Sequence, residues 1–273
     1  MVFGLSRVMA ACVLMAALGG CVPEPGAMTP GVAKSTDPVA KPTEAKVIPN
    51  AYVAQVDAGI PVPAIPLEKL PVPLQRQTVY FPTEEAAGTI IINPAQRVLH
   101  LVTARNQAVR YGIAVGKAGF EWAGVANITD RKPWPTWTPP KEMIERKPEL
   151  VQWEKGQPGG PTNPLGARAL YLTTDGVDYG YRIHGTPDWQ SIGSNASSGC
   201  IRMINQDVMD LYNRVPNGSK VIVLNADGSM PTALKLPPKP AKPAKTAKKA
   251  VPAVTPAPPP APVEPVIAVG TPV

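Results

Sequence analysis

The chain has 273 residues, of which 36 are proline and 5% aromatic, and it carries a formal net charge of +7. Six lysines (235, 239, 242, 245, 248 and 249) against Glu264 give the stretch from Leu234 onward +5 and leave +2 for the rest, so the basic balance describes one end of the chain. That end contains no aromatic residue, which argues against nucleic-acid binding, where basic side chains interleave with stacking platforms.

In chain order, the first element is Met1-Val2-Phe3-Gly4-Leu5-Ser6-Arg7, an apolar stretch over 8–18, and Gly19-Gly20-Cys21. An apolar core of about eleven residues is too short to span a bilayer, which takes about twenty, and small residues follow it as at a cleavage site. Residues 1–21 therefore read as an export signal. Leu18-Gly19-Gly20-Cys21 resembles the lipobox of bacterial lipoproteins, which implies lipid on Cys21, an N-terminal membrane anchor and an envelope location, with the outer membrane of a Gram-negative cell expected because Val22 follows the cysteine. Cys12 then leaves with the signal, and Cys200 remains as a lone thiol in an oxidising compartment. Eleven prolines between Pro23 and Pro73 rule out a long regular element and predict a tether over 22–87, with 53–74 laid along the surface of the domain that follows.

Residues 88–225 suit one domain with one core. The β-branched runs 89–92 and 98–103 around Asn93-Pro94-Ala95-Gln96 predict a hairpin, and Val109, Tyr111, Ile113 and Val115 alternate as a third strand. Runs 169–173, 181–184 and 220–224 read as further short strands, so the fold class is mainly β. The stretch 119–166, with Trp122, Trp134, Trp137, Trp153 and prolines that include Pro133, Pro135, Pro139 and Pro140, reads as a long functional loop or satellite core, with a short helix over 142–149. A helix starts at Asn205 as N-cap, places Val208, Leu211, Tyr212 and Val215 on one face, and stops at Pro216-Asn217-Gly218. Beyond it, 226–273 is rich in Pro, Ala and Lys and reads as a disordered tail.

The chemistry concentrates in His184-Gly185-Thr186 and Ser197-Ser198-Gly199-Cys200-Ile201-Arg202-Met203, with fifteen residues between His184 and Cys200. A thiol attacks a carbonyl as thiolate, and with a free pKa of about 8.5 it needs an imidazole or a positive environment to react near neutral pH. His184 is the candidate base; His100 sits in a strand-like run and reads as structural. Backbone N–H groups of Ser198, Gly199 and Cys200 are natural donors to a developing oxyanion, and Gly185 and Thr186 shape the turn that presents His184. Arg202 is placed to orient substrate, steady the turn or hold a substrate carboxylate. Asp175, Asp178 and Asp188 read as turn caps, and Tyr171, Tyr181, Arg182 and Trp189 as pocket walls. No metal or cofactor is expected, since one cysteine and two histidines leave a zinc site short of ligands.

Together with Ile192-Gly193, Val115-Gly116-Lys117, Pro135-Thr136-Trp137-Thr138-Pro139-Pro140 and Asn163-Pro164-Leu165-Gly166-Ala167, these motifs resemble the L,D-transpeptidase catalytic domain of bacterial cell-wall enzymes, over about half the chain. The resemblance implies a β-sandwich with few short helices, flanked here by Pro-rich ends. It also implies a two-step transfer in which Cys200 attacks the carbonyl of the third residue of a peptidoglycan tetrapeptide stem, meso-diaminopimelate, and releases D-alanine. A backbone carbonyl is then expected to orient His184. The acyl acceptor is a second stem peptide, giving a 3-3 cross-link, or an amine of an outer-membrane protein. Water as acceptor makes the protein an L,D-carboxypeptidase, and a decayed site makes it a non-catalytic peptidoglycan-binding lipoprotein, a reading that the presence of both Cys200 and His184 disfavours.

Overall fold

The computed structural model describes residues 44–118 and 121–237. The expected leader, Cys21 and the Pro/Ala/Lys-rich stretch beyond 237 lie outside the described residues. Short strands come first among the described residues: β1 (Lys46–Val47), β2 (Gln55–Asp57), β3 (Ile60–Val62) and β4 (Gln77–Tyr80). They are followed by β5 (Ile90–Asn93), β6 (Val98–Ala104), β7 (Gln107–Gly116) and β8 (Gly124–Pro133). The second half holds α1 (Lys141–Arg146), β9 (Arg168–Thr173), β10 (Arg182–His184), β11 (Asn195–Ser197), β12 (Ile201–Met203), α2 (Asn205–Arg214) and β13 (Lys220–Val223).

The β5–β6 hairpin turns where Asn-Pro predicts it, because the Asn93 side chain accepts the Gln96 N–H at 3.0 Å and Arg97 takes up a left-handed φ of 54°. All strands except the β2–β3 hairpin join one sheet, in the order β1-β4-β7-β12-β10-β9-β8-β13-β5-β6 with β11 beside β7. Since β7 also pairs with β6, the ladder closes on itself through that long strand. The mainly β fold with few helices is the one expected. Its core gathers Ile90, Ile92, Leu99, Tyr111, Ile113, Ile128, Leu170, Ile183 and Met203 from the inward faces of the strands, with Val208 and Leu211 of α2 against them.

Three expectations are corrected. First, the stretch expected as a tether is, over its described residues 44–87, built into the domain: β4 pairs with β7, and Tyr52, Gln75, Arg76 and Gln77 are buried. Proline does exclude long elements here, but short 3-10 turns and side-chain hydrogen bonds satisfy the backbone instead. Arg76 Nε donates to Asp207 of α2 at 2.9 Å and its Nη2 to the Gln206 carbonyl at 2.7 Å, while Tyr52 donates to the same carboxylate at 3.1 Å and accepts the Arg76 N–H at 2.7 Å. Second, β8 occupies ten residues of the stretch expected to be a loop; its inward positions are the small Gly124 and Ala126 with Ile128, too weak an apolar pattern to signal a strand. Third, ordered pairing runs past 225, since Lys235 bridges Ala123 and Leu234 packs on the core.

Helix boundaries shift for local reasons. Pro148 ends α1 by forcing Lys147 to a non-helical φ/ψ of −137°/80°, so the helix expected over 142–149 becomes α1 followed by a 3-10 turn, Pro148–Trp153. Asn205 is the first helical residue rather than the cap; its Oδ1 accepts the Ala167 N–H at 2.9 Å and ties α2 to the chain entering β9.

Candidate active site

Strands β10 and β12 run parallel, with Ile183 opposite Ile201 and His184 opposite Arg202. Their inward isoleucines anchor both in the core, so His184 at the end of β10 and Cys200 immediately before β12 emerge on the same side of the sheet. Both line one cavity of about 800 Å³. The turn after His184 is fixed by close backbone packing: Gly185 donates to the Arg168 carbonyl at 3.0 Å, and a Cβ on Gly185 would meet Asn205 Oδ1 at 2.3 Å and Ala167 N at 3.0 Å. Gly185→Ala is therefore expected to destabilise the domain by about 1–3 kcal/mol, the usual cost of overpacking, and to displace His184; denaturant unfolding together with Cys200 acylation rates measures both effects. Thr186 is buried and its hydroxyl accepts the Asp188 N–H at 3.1 Å, a local turn contact.

The cysteine turn is stapled by Ser197, whose hydroxyl donates to the Cys200 carbonyl and accepts the Gly199 N–H at 3.1 Å. Gly199 holds a φ of 109°, a conformation that disfavours residues with a Cβ. Of the three N–H groups expected as oxyanion donors, that of Gly199 is thus already engaged. Those of Ser198 and Cys200 have no hydrogen-bond partner among the described residues.

The His184 Nδ1 lies 2.6 Å from the Gly185 carbonyl, which makes Nδ1 the protonated nitrogen and leaves Nε2 as acceptor. Burial lowers the imidazole pKa to about 4, the Gly185 carbonyl opposing and the Arg202 and Arg182 charges adding to the drop. Burial raises the Cys200 thiol above its ordinary value, opposed by a backbone hydrogen bond from Arg182 and the charges of Arg182 and Arg202, and reinforced by Asp178. At neutral pH the cavity therefore holds a neutral thiol and a neutral imidazole. A thiolate standing ready before substrate arrives is not what this geometry favours.

Arg202 lines the cavity and enters no ion pair among the described residues. The residues expected as pocket walls do not line it. Arg182 holds Asp178 through two hydrogen bonds of 2.7 and 2.8 Å and lies over the Tyr171 ring, Tyr181 stacks on Trp122, and Trp189 lines a separate cavity of about 230 Å³ with Trp134 and Pro187. The walls come instead from the stretch over 134–166, with Trp137, Met143, Arg146, Lys147 and Trp153, and from Lys117 after β7. That stretch is held in place by Asn163, fully buried, whose amide donates to the carbonyls of Pro135, Gln157 and Pro158, each at 3.0 Å. His100, stacked on Phe81 at 4.2 Å, is buried in β6 and is not among the cavity's lining residues.

A family model for the L,D-transpeptidase catalytic domain, YkuD, matches residues 87–223. Among curated proteins, the probable L,D-transpeptidase YcfS of Escherichia coli K12 is 32% identical over 161 residues, 57% of this chain and 48% of that protein. The putative L,D-transpeptidase YkuD of Bacillus subtilis 168 is 46% identical over 66 residues, 24% of this chain and 36% of that protein. The chain spans about half the length of the first curated relatives it matches. A crystal structure from Brucella melitensis, described as a probable carnitine operon oxidoreductase, is 50% identical and covers 57% of this chain and 96% of its own, with a TM-score of 0.40.

Proposed function

This chain belongs to the YkuD family of L,D-transpeptidase catalytic domains, and from that premise we propose that it is a peptidoglycan L,D-transpeptidase with Cys200 as nucleophile and His184 as general base. The observation that carries the reading is the convergence of His184 and Cys200, from adjacent parallel strands, on one cavity. The cavity is lined by Lys117, Arg146, Lys147 and Arg202 and, among the described residues, by no carboxylate, a charge complementary to a stem peptide bearing several carboxylates.

The first step transfers the thiol proton to His184 Nε2 while the sulfur attacks the carbonyl of meso-diaminopimelate. The N–H groups of Ser198 and Cys200 meet the oxyanion, and Arg202 holds a substrate carboxylate. On collapse the C–N bond to D-alanine breaks, His184 returns its proton to the leaving amine, and a thioester remains on Cys200. An acceptor amine then attacks that carbonyl, gives its proton to His184, and expels the thiol, which is reprotonated. The acceptor is a second stem peptide or an amine of an outer-membrane protein. Lipid on Cys21 would hold the domain at the envelope, an assignment that labelling with a fatty acid and membrane fractionation test.

Incubation with a disaccharide-tetrapeptide containing meso-diaminopimelate is expected to release D-alanine. A dimer among the products identifies the stem as acceptor, whereas a persistent thioester without dimer points to a protein acceptor. Absence of D-alanine release with the reduced, folded protein would overturn the reading.

A further inference from the structure

The loop between β9 and β10 meets the nucleophile in a way that the transfer chemistry does not require. Cys200 Sγ lies 3.7 Å from the Gly180 carbonyl, within reach of a thiol donating to oxygen. Gly180 sits at a φ of 86°, and its own N–H donates to Asp178 Oδ1 at 2.7 Å. Asp178 is in turn gripped by both terminal nitrogens of Arg182, which also donates to the Tyr181 carbonyl at 2.8 Å and lies 4.4 Å over the Tyr171 ring. The clasp is thus closed on four sides: carboxylate, glycine amide, guanidinium and aromatic face. The Arg182 backbone also acts on the sulfur, in the direction that lowers its pKa, so a carbonyl that favours the thiol and a backbone group that favours the thiolate both bear on it.

We propose that Asp178 is a positioning residue that sets the reactivity of Cys200, holding the Gly180 carbonyl against the resting thiol and opposing the two arginine charges beside it. The charged groups bearing on the sulfur are Arg182 of β10, Arg202 of β12 and Asp178 of the intervening loop, while His184, Lys117, Arg146 and Lys147 line the same cavity. Asp178 is the carboxylate in that set. With its S–H donated to the Gly180 carbonyl, the sulfur stays a protonated thiol and a poor target for oxidants and adventitious electrophiles, whose attack follows thiolate character. The proton is then surrendered when substrate occupies the cavity and His184 takes it. This role rests on Cys200 being the nucleophile, yet it concerns the thiol itself and is read without any transpeptidase turnover.

The test is the rate of iodoacetamide alkylation between pH 6 and 10 in the full chain, quantified on the Cys200 peptide by mass spectrometry so that Cys12 and Cys21 do not contribute. Asp178→Ala is expected to shift the profile about one pH unit towards acid, a rise of about tenfold at pH 7. Asp178→Asn, which keeps an acceptor for the Gly180 N–H but not the charge, falls between that variant and the parent. Arg182→Gln is expected to shift the profile the other way. A loop that merely loosens would move both the Asp178 and Arg182 profiles in one direction, and profiles that move together, or an Asp178→Ala profile superimposed on the parent, would overturn the proposal.

Discussion

Replacing Arg76 by alanine is expected to destabilise the domain by about 3–5 kcal/mol, the loss typical of breaking a buried ion pair from one side. The reason lies in what remains behind. Asp207 has no solvent exposure, and Arg76 supplies its strongest partner, backed by a second contact to Asp210 at 3.2 Å. Burial already lifts the Asp207 carboxyl to about 6 despite the opposing Arg76 charge, and removal of that charge lifts it further. A carboxylate whose folded pKa exceeds its unfolded one lowers stability as pH rises from the unfolded value through the folded one, and the loss is complete above the latter. The deficit of Arg76→Ala should therefore be larger at pH 8 than at pH 5. Urea unfolding at both pH values measures it, and a loss under about 0.5 kcal/mol, the range of ordinary surface changes, would show that the segment ahead of β4 is a detachable arm. Asp207→Asn in the same background should recover part of the stability, because it removes the stranded charge.

The second large effect is on chemistry. His184→Ala is expected to slow acylation of Cys200 by about 10² to 10⁴, the range for a positioned general base, with the domain still folded. Burial and the nearby guanidinium charges hold the imidazole near 4, so it remains a base well below neutral pH. The acid limb of the parent's acylation rate should consequently fall near pH 4 rather than near the ordinary 6.5. The same shift carries a stability consequence: the unfolded imidazole takes up its proton first, so the contribution of neutral His184 is complete above pH 6.5 and is lost as pH falls towards 4. Pre-steady-state acylation across pH 3.5 to 8 tests both limbs, and a His184→Ala variant with the parent's rate at every pH would remove this residue from the base's role.

The sequence reveals those parts of the molecule that rest on strong local signals. The β5–β6 hairpin has β-branched runs and an Asn-Pro turn, β7 has clean alternation, and α2 has an apolar stripe ended by proline, so each is readable without its neighbours. Strand β8 is hidden because glycine and alanine fill its inward positions and long neighbours close over them. The order in residues 44–80 is hidden for a different reason: it depends on Arg76, Tyr52 and Asp57 finding Asp207 and Arg168 more than a hundred residues away. Proline content signals irregular backbone there, and irregular backbone can still be buried when side chains satisfy it.

The site shows the same division. His184 and Cys200 stand out because each lies in a compact motif, and their chemistry needs nothing distant to be recognised. The engaged Gly199 N–H depends on the Ser197 hydroxyl folding back over its own turn, which no spacing encodes. Arg182 looks like a wall residue by its nearness to His184, and it shares that residue's face of β10, but its guanidinium is held by Asp178 and lies over the Tyr171 ring instead. The walls belong to Trp137, Trp153 and their neighbours, whose placement depends on Asn163 collecting three carbonyls from the same loop. A buried asparagine after a proline-rich run is the signal that would have located them.

The central claim, that Cys200 carries the acyl group, is tested most directly by quenching a short incubation of the protein with the tetrapeptide substrate and mapping the adduct by mass spectrometry. The predicted result is a thioester on the Cys200 peptide equal in mass to the stem lacking its terminal alanine, formed by the parent and absent from Cys200→Ala. An acyl adduct on any other residue, or D-alanine release by Cys200→Ala at the parent's rate, would contradict it.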